Sequence, residues 1–306
     1  MKSNRNVEHL IANFRKRRPI RAGSLIITVY GDAIAPRGGT VWMGSLIKIL
    51  EPLGLNQRLV RTSVSRLVKE DWLTAEQVGR RSYYSLTDHG QRMFEAATRR
   101  IYAGPPQEWD GTWTIVIMPS GELANRESIR KELAWLGFGV FATGVMAHPQ
   151  PDAEALATTL DDLGVQDKVI TMQASEAQAS TQAPLARLVN ECWKLDELGE
   201  SYELFLKHFK PILKTVCNGK SMDPAQSLHV RTLLIHEYRR ILLRDPQLPA
   251  PLLPKNWSGT AAYDLCHDIY SAIHRSADEY LSEFAETADG PLPPPAPYFN
   301  RRFGGL

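Results

Sequence analysis

Between Asn56 and Gly90 the chain reads NQRLVRTSVSRLVKEDWLTAEQVGRRSYYSLTDHG, and its basic residues fall into two groups. Arg58, Arg61, Thr62, Ser65 and Lys69 share one side of a helical period, spanning an arc of about 100° at 100° per residue. Arg66 borders that arc. A solvated helix face normally interleaves glutamates with its cations, but this one is entirely cationic or hydroxylic. Long guanidinium side chains and short hydroxyls are the groups that reach phosphates and base edges in a major groove. The second group, Arg80 and Arg81, follows Gly79 between two strand-like runs, with Tyr83 just beyond. Cations at such a tip can clamp a phosphate backbone or enter a minor groove.

The elements that must hold these residues are legible around them. Val60, Val64 and Leu67 recur at i, i+4 and i+7, so the arginine helix has an apolar stripe opposite its basic face. Asn56 suits its N-cap and Gly54 a tight turn before it. Upstream, VWMGSLIKILEPLG reads as a short amphipathic helix ended by Pro52 and Gly54, which gives a helix-turn-helix connection. Downstream, Trp72–Ala75 and Ser82–Leu86 read as strands joined by Gly79-Arg80-Arg81, and Asp88 as the cap of a helix with Met93, Phe94, Ala97 and Ile101 on one face. Helix, turn, helix and hairpin together predict a winged helix-turn-helix over residues 1–103. Phe14 to Arg21 is a further basic run that suits either an arm along phosphates or a solvated tail.

Charge is distributed accordingly. The 306 residues carry a formal charge of +2, but through Ala103 there are 18 Lys and Arg against 8 Asp and Glu, a local charge of +10. The remainder is at −8, the pattern of a basic module on an acidic body. Cys192, Cys217 and Cys266 are odd in number and lack C-x-x-C spacing, so buried thiols are expected rather than disulfides or zinc. No apolar core of signal-peptide length and no 18-residue apolar run are present, and the expectation is a cytoplasmic protein without a membrane span.

Past Gly104-Pro105-Pro106, a linker signal, the periodicity changes. Trp113–Met118, Phe138–Phe141, Val145–Ala147 and Val169–Met172 read as strands, with helices over Asn125–Leu136 and Pro151–Leu163. The order βαββαβ predicts a ferredoxin-like domain over 108–174. A metal-dependent nuclease of that shape, like the CRISPR adaptation endoribonuclease, would need an aspartate at the end of its first strand. That strand ends Met118-Pro119-Ser120. A second Ala/Gln/Ser-rich linker covers 175–184, and a mainly helical domain is expected over 184–306. Its helices are read at Leu185–Thr215, Ser227–Arg244 and Ala261–Phe284, with a proline-rich loop before the last and an irregular, exposed tail, GPLPPPAPYF.

The sequence His236-Glu237-Tyr238-Arg239-Arg240 begins like a zinc-protease helix, but the second histidine of H-E-x-x-H is replaced by arginine, and the metal reading fails. Two readings remain for this flank: a salt-bridged surface helix, or an anion site in which His236, Arg239, Arg240 and Arg244 meet phosphates and Trp257 stacks on a planar ring. No nucleophile–base pair, glycine-rich phosphate loop or framed carboxylate pair is present, so no catalytic residue and no cofactor are expected.

VYGDAIAPRGGTVWMGSLI, LVRTSVSRLVKEDWL and GRRSYYSLTDHG resemble the winged-helix domain of the phenylacetate-operon repressors, the PaaX family. YRRILLRDPQLPAPLLPKNWSG and the βαββαβ middle are similar to that family too, so the resemblance covers nearly the whole chain. It implies a repressor of aromatic-catabolism genes that is released from its DNA operator by phenylacetyl-coenzyme A. The patterns above give it an α+β, three-domain architecture, and because one winged helix covers only a short half-site, a homodimer on an inverted repeat is expected. The resemblance places the DNA-reading helix on Arg58 to Lys69 and maps no thioester residues. Two rival classes are a nucleic-acid-processing enzyme, disfavoured by the strand end above, and an acyl-CoA-handling enzyme with a winged-helix interaction module. Turnover of a thioester would distinguish the latter.

Overall fold

In the computed structural model, residues 4–104, 108–119, 125–175, 182–218 and 222–306 are described; the linker at Pro105-Pro106, most of the linker at 175–184 and Ser120 lie outside them. The chain divides into two compact units: Met1–Gly104, Tyr202–Arg240 and Gly259–Leu306 form one, Pro105–Ser201 and Ile241–Ser258 the other.

In the first unit, α1 (Arg5–Lys16) and α2 (Ala22–Val29) precede a π-helical turn, Tyr30–Ile34. The basic run at Phe14–Arg21 is therefore not a free arm. Phe14 is buried, Arg15 Nε donates to the Pro52 carbonyl at 2.8 Å, and Arg17 pairs with Glu237 at 2.7 Å. Next come β1 (Thr40–Trp42), α3 (Met43–Leu50), α4 (Gln57–Lys69), β2 (Leu73–Val78), β3 (Arg81–Leu86) and α5 (Asp88–Tyr102). The expected helix over VWMGSLIKIL is thus a strand for its first residues. Val41 pairs with Tyr84 and Trp42 with Tyr83, giving a three-stranded antiparallel sheet of order β1-β3-β2. Pro52 closes α3 in a short 3₁₀ turn, and Gly54 takes φ +93°, a conformation in which a side chain is strained. Asn56 caps α4 by accepting from the Leu59 N–H at 2.9 Å. The cap of α5 is Thr87 rather than Asp88, its hydroxyl accepting from the Gly90 N–H.

Residues distant in sequence complete this unit. It contains most of α9 (Leu195–Cys217), α10 (Pro224–Leu242) and α11 (Ser258–Phe284). Leu265, Ile269, Ile273 and Ala277 are buried at their spacing of four. The continuous helix read over Leu185–Thr215 is instead two, α8 (Gln182–Trp193) and α9, broken at Lys194 with φ +50°. The tail is irregular over 292–296 and exposed at Pro293, Pro294, Pro297 and Tyr298, as expected, but its two ends are ordered: β8 (Glu286–Thr287) and β9 (Gly290–Pro291) form a small hairpin, and a 3₁₀ segment at Pro297–Gly304 buries Phe299, Arg302 and Phe303.

The second unit holds β4 (Thr112–Ile117), α6 (Arg126–Trp135), β5 (Gly139–Ala142), β6 (Val145–His148), α7 (Ala153–Asp162) and β7 (Ile170–Ser175). Its four-stranded sheet is antiparallel throughout, in the order β5-β6-β4-β7. Val116, Met118 and Met146 pack with Ile129 and Leu133 of α6 and Leu156 and Leu160 of α7. At the end of α8, the Trp193 indole donates to the Gly137 carbonyl at 2.8 Å and lies parallel to Trp113.

Candidate nucleic-acid interface

Helix α4 separates its two faces cleanly. Val60, Ser63, Val64 and Leu67 are buried, and burial of each large apolar side chain contributes about 1.5–3 kcal/mol to holding the helix in place. Arg58, Arg61, Thr62, Ser65, Arg66 and Lys69 are all exposed. The Thr62 hydroxyl donates back to the Arg58 carbonyl at 2.9 Å, leaving its lone pairs outward as acceptors. The whole helix, QRLVRTSVSRLVK, contains no acidic residue. Its field therefore attracts anions along its full length, without an intrahelical carboxylate to compete.

The second basic group is divided by the hairpin. Val78 pairs with Arg81, leaving a two-residue turn of Gly79 and Arg80, and Gly79 takes the positive φ of +61° that such a turn favours. Arg80 stands exposed at the tip. Arg81, expected in the turn, is instead the first residue of β3, exposed but engaged by side chains of its own unit. Its guanidinium lies 4.5 Å from the Trp42 ring centroid and forms an ion pair with Glu286. Hydrogen bonding with Tyr83, together with Glu286, raises the pKa of Arg81 above its ordinary value. Tyr83, expected among the DNA contacts, is only 5% exposed. It sits opposite Trp42 and Glu76 in the sheet, a supporting position rather than a contact surface.

The anion flank expected on α10 is altered at its first two residues. His236 is buried; its Nδ1 lies 3.0 Å from the Thr28 hydroxyl and its ring meets Phe14 edge-on. Burial, reinforced by the guanidinium groups of Arg239, Arg240 and Arg17, depresses its pKa to about 3, so at neutral pH it carries no charge to offer a phosphate. Arg239 is half-buried and donates to the Ser24 carbonyl and hydroxyl at 3.2 and 3.0 Å. Arg240 and Arg244 are exposed, and Trp257 is partly exposed. His236, Arg239 and Arg240 belong to the first unit, Arg244 and Trp257 to the second.

A buried charge cluster in the first unit went unanticipated. Asp32 Oδ2 accepts from Arg231 Nε at 2.7 Å, and Asp32 Oδ1 from Arg302 Nη1 at 2.9 Å, Tyr102 at 2.7 Å and Tyr270 at 2.8 Å. Asp278 accepts from Arg231 at 2.6 Å and lies 2.8 Å from Arg37. Burial alone would raise the Asp32 carboxyl, but the Arg231 and Arg302 guanidiniums and the two tyrosine hydroxyls hold it below the usual carboxylate range. Two aspartates face three arginines, and the rings around them take up the excess: Arg37, Arg231 and Arg302 all lie within 6 Å of the Phe299 centroid. A lone aspartate in the apolar run VYGDAIA and a lone arginine in LHVRTLLIH were the available signals. Arg302 left none. Among the described residues, no group of three or more His, Cys, Asp and Glu is placed to hold a metal, and no helix is long and apolar enough to cross a membrane.

Three family models cover most of the chain: a PaaX-like protein model over residues 21–90, the PaaX protein central Cas2-like domain over 106–186, and the PaaX-like protein C-terminal domain over 193–283. A curated relative, transcriptional repressor PaaX of Escherichia coli (strain K12), is 40% identical over 289 residues, covering 94% of this chain and 92% of its own. A solved structure, uncharacterized protein Rv0674 from Mycobacterium tuberculosis, aligns with a TM-score of 0.49 at 23% identity, over 77% of this chain and 89% of that one. Identity sustained from end to end, across all three segments in order, means that the chain belongs to the PaaX family.

Proposed function

We propose that the chain is a transcriptional repressor of phenylacetate-catabolism genes, a DNA-binding regulator and not an enzyme. In this reading α3, the turn at Gly54, α4 and the β2–β3 hairpin make a winged helix-turn-helix, and β4 through β7 with α6 and α7 make a ferredoxin-like unit. Arg58, Arg61, Thr62, Ser65, Arg66 and Lys69 enter a major groove, while Arg80 meets the phosphate backbone. The observation that carries the reading is the exposed α4 face, continuous in cations and hydroxyls and free of carboxylates over thirteen residues. A buried apolar stripe fixes that face outward, so the basic groups are presented on a rigid element.

The same reading includes a homodimer on an inverted repeat, because one such module covers only a short half-site. Release by phenylacetyl-CoA completes it. An effector lifts a repressor only through tighter binding to the DNA-incompetent state, and couplings of about 1–3 kcal/mol are typical. His236, buried and neutral, and Arg239, bound to Ser24, are set aside as phosphate contacts; Arg240 and Arg244, which are exposed, and Trp257, which is partly exposed, are the residues proposed to contact the thioester. The test is a gel-shift titration on promoter DNA of phenylacetate-catabolism genes. Phenylacetyl-CoA should release the DNA, and free phenylacetate, lacking the phosphates, should need a far higher concentration. Retention of the complex under saturating thioester would reject the effector; failure to bind any such promoter would reject the repressor reading itself.

A further inference from the structure

Arg81 stands at the base of the hairpin tip, yet three groups of its own protein surround it. The Trp42 ring covers one face of the guanidinium and Nη1 is paired with the Glu286 carboxylate, while Tyr83 helps to hold its charge. Neither member of the ion pair is sealed from solvent: their side chains are 48% and 39% exposed. An exposed ion pair of this kind contributes little to stability, so stability is a weak reason for its presence. Its electrostatic consequence beside a polyanion is larger, because a guanidinium already neutralised by a carboxylate releases no counterion from DNA.

Glu286 is not a chance neighbour. It opens β8, two residues beyond the end of α11. Its backbone N–H donates to the buried Ser45 hydroxyl at 3.1 Å, and that hydroxyl donates to the Phe284 carbonyl at 3.4 Å. Lys48 lies 4.2 Å from the centroid of the Phe284 ring. The segment after α11 is thus fastened to α3, the first helix of the pair that carries α4, while its carboxylate reaches Arg81. The same α11 carries Tyr270 and Asp278 of the buried charge cluster. A helix anchored in the core of the unit therefore ends in an acid placed on a hairpin cation.

We infer that Glu286 is a built-in brake on DNA binding: it withholds Arg81 from the phosphate backbone, so that the hairpin engages DNA through Arg80 alone. The inference rests on the DNA-binding reading above and adds an internal competitor to it. In the braked state Arg81 contributes nothing to affinity, and freeing it adds one phosphate contact. Any movement of the end of α11 away from α3 frees it.

The test uses the full chain and a labelled mixed-sequence DNA duplex, with the dissociation constant measured across a range of salt concentrations. Phosphate contacts are independent of sequence, so no operator is required. Glu286→Gln, which keeps size and loses charge, should bind more tightly, by about five- to tenfold near 0.1 M salt, with a slope steeper by about one phosphate equivalent. Arg81→Gln alone should leave the slope of the parent protein unchanged, and Arg80→Gln should flatten it by about one. In the double variant Arg81→Gln/Glu286→Gln the gain should disappear, because no guanidinium is left to free. A gain that persists in the double variant would overturn the inference, since it would come from removing a negative charge near DNA in general. Weaker binding by Glu286→Gln would also overturn it, by showing that the carboxylate positions Arg81 for contact. If Arg61→Ala and Arg80→Gln both left the salt dependence untouched, the DNA-binding face itself would be misassigned, a failure distinct from that of the brake. Unchanged thermal melting of each variant establishes that the comparison is between folded proteins.

Discussion

His236 illustrates how far a residue's surroundings can reverse the chemistry its sequence suggests. Beside two arginines on a helix it looked like part of an anion site; inside the unit it is a neutral ring packed on Phe14 and bonded to Thr28. The helical pattern places His236 on α10 but cannot reveal that α2 covers it, because that contact spans 208 positions. The consequence is measurable. With a folded pKa of about 3 against an ordinary 6.5, the folded state resists protonation where the unfolded chain accepts it. Stability from this group is complete above pH 6.5 and is lost as pH falls toward 3. His229, depressed to about 4 by burial, acts in the same direction. The urea-unfolding free energy should therefore decline from pH 7 to pH 4, and His236→Asn should flatten that decline by up to one proton, about 1.4 kcal/mol per pH unit. An unchanged slope in the variant would mean that the imidazole is not held neutral.

At the scale of elements, local patterns were readable and non-local ones were not. The α4 stripe, its Asn56 cap and the turn at Gly54 are all set by residues within a few positions of each other, and each is found where the spacing puts it. Strands β4 to β7 and helices α6 and α7 followed from the same kind of signal. β1 was hidden because an apolar run before α3 fits a helix as well as a strand; only pairing with β3, 43 positions on, decides it. The break at Lys194 was hidden because neither glycine nor proline marks it. The tail is the largest surprise. Proline-rich and apparently irregular, it carries Arg302 to Asp32 across 270 positions and places Phe299 among three arginines. Arg302→Ala should leave the buried Asp32 short of one of its cations and destabilise the protein by about 3–5 kcal/mol, read as a shift in the urea midpoint. A loss below about 1 kcal/mol would show that the tail does not close this cluster in solution.

At the scale of the whole molecule, sequence order and packing partition the chain differently. The family models follow three consecutive segments, whereas packing returns Tyr202–Arg240 and Gly259–Leu306 to the unit that contains α4. Chain order could suggest only the first arrangement, because composition and linkers mark covalent neighbours and not spatial ones. The proposed dimer has a direct check. Light scattering should give twice the chain mass both free and on an inverted-repeat operator, and a monomer in both conditions would remove the symmetry argument. The central claim, that α4 reads DNA, is tested most directly by a gel-shift titration of Arg61→Ala on the operator and on single-base variants of it. The account predicts a loss of roughly 1–3 kcal/mol in specific binding and a relaxed preference at one base pair, with thermal stability unchanged. Operator affinity and base preference equal to those of the parent protein would contradict it.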